Sequence, residues 1–155
     1  SYVSDCTLEP IDSETILKIF NDHLSRFDIE NEDKISVKLF ASGSFLNPYE
    51  LPIDARDEIL TTLANMDNVS EIIVESRPEY VKEEYLDDIF SIIGERLFEV
   101  SIGLETSNDY TRLNKINKGF TLKDFEDAVK LMQELRDKKG YNLKSKAYIF
   151  VKPRQ

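Results

Sequence analysis

The chain has 155 residues, 41% hydrophobic and 32% charged, and carries a formal net charge of −10. That length fits one domain able to bury about two-thirds of its unfolded surface, and no apolar run approaches the ~20 residues of a membrane-spanning helix. The acidic balance argues against the chain alone gripping a nucleic-acid backbone, which needs clustered Lys and Arg, while the lone Cys6 excludes an internal disulfide and fits a reducing, cytoplasmic setting.

Residues 1–11 read as irregular, closed by Pro10. Asp12-Ser13-Glu14 then supplies an N-cap signal for a helix over Ser13–Arg26, with an apolar stripe of Ile16, Leu17, Ile19, Phe20, Leu24 and Phe27. The sole histidine, His23, falls on this helix and reads as an ordinary surface residue. Ile35–Phe40 is the first predicted strand. It runs into Ala41-Ser42-Gly43-Ser44, small residues that let a backbone approach a ligand closely. A helix is expected over Ile53–Asn65, with Ile53, Ile59, Leu60 and Leu63 inward, and a strand over Glu71–Val74 that ends in Glu75-Ser76-Arg77-Pro78. The next helix, Lys82–Arg96, carries the stripe Tyr85, Leu86, Ile89, Phe90 and Ile93.

From Leu97 the residues alternate and then run apolar through Val100, Ile102 and Leu104, as in a buried strand. The strand breaks off into Glu105-Thr106-Ser107-Asn108-Asp109 and is followed by a one-turn amphipathic segment. A helix over Leu122–Lys139 is closed by Gly140, and a last strand, Lys146–Val151, ends in Lys152-Pro153-Arg154.

Strands alternating with helices give an α/β fold with a parallel four-stranded sheet and right-handed crossovers. Parallel topology places all four tips, Ser42-Gly43-Ser44, Glu75-Ser76-Arg77, Glu105-Thr106 and Lys152, on one edge of the sheet, where α/β proteins bind ligands. Each tip alone is also explained as a helix cap or turn. Together, the carboxylates can accept from ribose hydroxyls or an amino group, and Arg77 and Lys118 can hold a carboxylate or phosphate. Glu75 and Glu105 can alternatively serve as general acid and base. A metal site is disfavoured, because only carboxylates stand at these tips. Lys115, Lys118 and Lys123 are the only candidate basic patch and read as a solvated face. There is no phosphate-loop or dinucleotide glycine pattern.

Three ordered motifs stand in the chain, S-G-S-F-L-x-P over residues 42–48, E-S-R-P-E over residues 75–79, and I-G-L-E-T with I-N-K-G-F over residues 102–120. This combination resembles the radical S-adenosylmethionine (SAM) enzyme superfamily, nearest its archaeosine-biosynthesis and elongator-type tRNA-modifying branches. The resemblance implies the middle of a partial (β/α)6 TIM-like barrel. It also implies a SAM site in which Ser42, Gly43 and Ser44 approach the methionyl amino group. Glu75 would lie beside the ribose or methionyl part, Arg77 on the adjacent tip, Glu105 at the ribose or carboxylate, and Lys118 at the methionyl carboxylate. Glu105 and Lys118 stand where relatives more often carry Gln and Arg.

Such enzymes hold a 4Fe–4S cluster on a CxxxCxxC loop, and this chain has only Cys6. The expectation is therefore a single incomplete domain over residues 1–155, lacking the first strand with its cluster loop and the end of the barrel. It would bind neither cluster nor SAM by itself and would be inactive, with no metal ligand in the chain. The parent would be a radical SAM oxidoreductase that uses SAM and the cluster to form a 5′-deoxyadenosyl radical. It would act on a modified tRNA base through regions outside the chain, with a separate synthase partner and no membrane. Two rival readings are a non-radical barrel enzyme using Glu75 and Glu105, and a non-catalytic α/β interaction module. Missing flanks would leave open sheet edges at Ile35–Phe40 or Lys146–Val151 that invite self-association.

Overall fold

The computed structural model describes residues 11–40 and 43–151. Cys6, Ser42 and Lys152, and with them the expectations placed on them, lie outside the described residues.

Nine principal elements follow in order: α1 (Ser13–Leu24), β1 (Ile35–Leu39), α2 (Ile53–Ala64), β2 (Val69–Glu75), α3 (Glu83–Ile93), β3 (Leu97–Glu105), α4 (Asp109–Asn114), α5 (Leu122–Lys139) and β4 (Leu143–Ile149). Short 3₁₀ turns sit at Ile29–Asn31 and Pro78–Tyr80. The helices start where the sequence supplies acceptors. Asp12 takes the Thr15 N–H at 2.9 Å, Asn108 the Thr111 N–H at 2.8 Å, and Thr121 with Asp124 forms a reciprocal capping box on α5. That helix ends on Gly140 in the left-handed region, φ 68°.

The four strands are parallel and lie in sequence order, β1-β2-β3-β4. Right-handed crossovers between sequential neighbours put every connecting helix on the same face. The core forms there: Ile72, Val74, Phe98, Val100, Ile102 and Leu104 of the sheet pack with Ile59, Leu60 and Leu63 of α2, Leu86, Ile89 and Ile93 of α3, and Ala128, Met132 and Leu135 of α5. The alternate residues of β2, β3 and β4 form the opposite face. Its cross-strand rows are Ile73 beside Glu99 beside Lys144, Glu75 beside Ser101 beside Lys146, and Gly103 beside Tyr148. Most of these residues are polar, and Glu99, 1% exposed, is held by Lys144 at 2.8 Å and Lys146 at 3.4 Å.

Three expectations shift. The last strand begins at Leu143 rather than Lys146, because Leu143 is buried and pairs with Phe98, while Glu99 on the neighbouring strand neutralises the two lysines that make the segment read as polar. It ends at Ile149 rather than Val151, and Ile149, Phe150 and Val151 are 65%, 67% and 84% exposed, since β4 is an outer strand. On α1, Ile16, Leu17, Phe20 and Leu24 pack against the core while Ile19 and Phe27 are exposed. The sheet of the described residues is open, with β1 and β4 at its edges as anticipated. The four strands of the described residues do not close on themselves, so a TIM-like barrel is not shown. No helix among the described residues is long and apolar enough to cross a membrane.

Candidate functional site

At the carboxyl ends of the strands lies an open cleft of about 410 Å³, lined by residues from all four strands or the loops that follow them. It gathers six of the seven residues singled out from the sequence, namely Gly43, Ser44, Glu75, Arg77, Glu105 and Lys118. The seventh, Ser42, is not among the described residues.

Hydrogen bonds beyond the regular ladders zip the tips together. Phe45 N–H donates to the Glu75 carbonyl at 2.9 Å, Ser76 N–H to Ser101 at 3.0 Å, and Phe150 N–H to Glu105 at 2.9 Å. The Ser44 hydroxyl accepts the Arg77 N–H at 3.1 Å, so Ser44, 3% exposed, braces two tips as well as lining the cleft. Gly43 leaves room for the Glu50 carboxylate, which accepts the Ser44 N–H and the Asn47 side-chain amide and would have to shift if a Cβ stood there.

Lys118 Nζ lies 2.9 Å from Glu105 Oε1, and both side chains are about one-quarter to one-third exposed. Gly103 leaves the space for them, since a Cβ there would meet Lys118 Nζ at 2.9 Å and Glu105 Oε1 at 3.1 Å. Arg77 pairs with Glu79 at 2.6 Å and reaches over Gly119. The cleft thus presents two cations, Arg77 and Lys118, together with three carboxylates, Glu50, Glu75 and Glu105. Because Lys118 engages Glu105 directly, a free acid–base pair of Glu75 and Glu105 gains no support from this arrangement.

Other sequence candidates fall elsewhere. His23 is exposed on α1, its Nδ1 2.8 Å from the Ile19 carbonyl oxygen. The three lysines do not form a basic patch: Lys115 lies over Tyr110, Lys118 pairs with Glu105, and Lys123 with Asp127. Among the described residues no cluster of three or more His, Cys, Asp or Glu could hold a metal ion.

The residues assigned to the site from the sequence did not include Glu50, Ser101, Gly103, Asn117, Phe120 and Tyr148, all of which line the cleft. Gly103, Asn117 and Phe120 stand within the third motif, and Ser101 and Gly103 alternate with Val100, Ile102 and Leu104, so the period of two sets them on Glu105's face. Tyr148 stands beside Gly103 across the ladder, which is visible only once strand register is known. Glu50 had no local signal, because the loop must return before its carboxylate meets Ser44.

The chain is 38% identical over 152 residues to a Methanosarcina acetivorans protein named archaeosine synthase subunit beta, covering 98% of this chain and 42% of that protein. A Thermococcus kodakarensis protein of the same name is 43% identical over 122 residues, covering 79% of this chain and 36% of that protein. An uncharacterized protein of Methanocaldococcus jannaschii is 36% identical over 155 residues, covering 99% of this chain and 40% of that protein. The chain therefore spans about two-fifths of the length of the curated relatives it matches. No family model and no solved structure matches it.

These relatives correct the reading of the parent as a radical SAM iron–sulfur oxidoreductase. Their names describe a synthase subunit and carry neither radical nor iron–sulfur chemistry, so the radical SAM enzyme, 4Fe–4S and TIM-barrel descriptions are withdrawn. What the relatives support is similarity to proteins named archaeosine synthase subunit beta.

Proposed function

We propose that this chain is the ligand-holding part of a beta-type subunit of an archaeosine-forming synthase, and that its cleft binds S-adenosylmethionine. The observation that carries this reading is the charge pattern of one cleft. An α-amino acid carried on a ribonucleoside presents a carboxylate, an ammonium and ribose hydroxyls. Lys118 and Arg77 complement the first, and Glu50, Glu75 and Glu105 complement the others. The volume of about 410 Å³ lies in the ~300–1,000 Å³ range of small-molecule sites.

When bound, SAM would supply an activated carbon on a sulfonium. The chain's own part is to bind and orient. Lys118 would exchange its ion pair with Glu105 for a shared contact with the amino-acid head. Arg77, only 2.6 Å from Glu79, keeps its remaining nitrogens for a carboxylate. The Gly43–Ser44 backbone, held by Glu50, would sit against the ligand. The tRNA substrate and the partner subunit would meet this site through the remainder of the protein.

Calorimetric titration of the full-length protein with SAM tests this. Saturable binding is expected, weakened about tenfold or more by Lys118→Ala, since a charge-assisted hydrogen bond is worth roughly 1.5–3 kcal/mol. Absence of binding by the wild type refutes the SAM reading. Should free amino acids such as lysine compete with SAM, the cleft would take amino-acid heads other than that of SAM.

A further inference from the structure

Two non-glycine residues among those described adopt positive φ, Glu105 at 62° and Asn117 at 58°, and both line the cleft. At Glu105 the chain closes a three-residue turn, with the Thr106 N–H donating to the Leu104 carbonyl at 2.7 Å. The positive-φ form of that turn is the rarer, strained one. Such backbone persists only where its surroundings over-determine it, and it concentrates at sites where the strain has a use.

One buried residue does the holding, through its side chain and its backbone carbonyl. Arg112, on α4, has a side chain 0% exposed. One guanidinium nitrogen donates to the Thr106 carbonyl at 2.9 Å, directly after the strained residue. Another pairs with Asp109, whose carboxylate also accepts the Leu122 N–H at 2.8 Å and so ties α4 to the start of α5. The backbone carbonyl of Arg112 accepts the Lys118 N–H at 3.0 Å. Its guanidinium carbon sits 5.7 Å from the ring centre of Phe120, another cleft residue. A single residue therefore grips the chain at both partners of the Glu105–Lys118 pair. Arg112 Nε has no hydrogen-bond partner among the described residues, and an unpaired buried donor is destabilising. If the position only filled space, an apolar side chain of similar size would serve better.

We propose that Arg112 is a positioning residue. It holds the strained turn after β3 and the Asn117–Lys118 segment in one relative placement, so that Glu105 and Lys118 face the ligand as a preformed pair. The consequence for binding rests on the S-adenosylmethionine reading, whereas the geometric claim stands without it.

The test is a crystal structure and a calorimetric SAM titration of the full-length protein carrying Arg112→Met or Arg112→Lys. In Arg112→Met, Glu105 is expected to relax to negative φ and Lys118 Nζ to leave the ~4 Å ion-pairing range of its carboxylate. SAM affinity, measured well below the melting midpoint, should fall at least about tenfold. Arg112→Lys keeps the charge but not the planar fork, and should recover part of that affinity. An Arg112→Met structure that retains positive φ at Glu105 and the intact pair overturns the proposal. If Arg112→Met does not fold, Arg112→Lys decides, and an unchanged turn with unchanged affinity overturns it. Wild-type protein that binds no SAM refutes only the ligand reading, and the two crystal structures then settle the positioning role.

Discussion

Glu99 shows how a single buried side chain organises the face beneath the cleft. Burial pushes its carboxyl up, but hydrogen bonds from Lys144 and Lys146 outweigh this and leave it below the ordinary carboxylate range. The folded protein therefore binds this proton less readily than the unfolded chain does. The stabilisation is fully present above the unfolded value, near pH ~4.3, and is lost as pH falls through the folded value. Glu99→Gln should cost roughly 1–3 kcal/mol at neutral pH, read from urea midpoints. The gap to wild type should narrow as pH drops from about 5 toward 3, below the unfolded value. A gap that stays constant across that range would show that the charge is not what Glu99 contributes. At the cleft, Gly103→Ala should disturb the Lys118–Glu105 pair, because its methyl would lie 2.9 Å from Lys118 Nζ. Since Lys118 Nζ is the far end of a flexible side chain, we expect weakened SAM binding with little change in melting temperature.

At the level of elements, α5 is the best-determined unit, and its ends are legible in the sequence. Thr121 with Asp124 signals the start and Gly140 the stop, and both behave as their chemistry requires. Thr121→Ala should cost about 1 kcal/mol, a fall of about 2–4 °C in melting temperature for a chain of this size. The C-terminal end of α5 is joined to α3 by a contact that local sequence does not announce. Lys139 bonds Asp87 and Glu83, Tyr141 donates to Asp87 at 2.6 Å, and the Tyr141 ring stacks on Phe90 with centres 4.2 Å apart. Lys139 and Tyr141 both titrate higher than usual because of the Asp87 hydrogen bond, and Asp87 lower because of theirs. Tyr141→Phe keeps the stack and loses the hydrogen bond, so it should destabilise less than Tyr141→Ala in thermal melts.

For the whole molecule, sequential parallel order places helices on one face and leaves both β1 and β4 as outer strands. An outer strand offers unpaired backbone groups to another chain. On β4 and just beyond it, exposed Ile149, Phe150 and Val151 add apolar surface. The 155-residue chain is expected to self-associate as its concentration rises. Ile149→Lys with Val151→Lys should suppress this in sedimentation velocity, and association unaffected by the pair would place the contact elsewhere.

The sequence by itself determined the order of elements, the apolar stripe of α3 and that of α2 apart from Ile53, which is 42% exposed, the caps of α5, and the convergence of Glu75, Arg77, Glu105 and Lys118 on one sheet edge. These follow from local period and from parallel topology, which needs no distances. Tertiary structure alone decided the rest. Glu50 meets Ser44 only after a loop returns, and Tyr148 faces Gly103 only once register is set. Lys144 and Lys146 join a strand because Glu99 lies beside them on the neighbouring one. Arg112 reads as one more charge on a surface helix, yet it is buried where β3, α4 and α5 meet. Charge pairing and burial between distant segments leave no periodic trace in a chain, so no local pattern could have disclosed them.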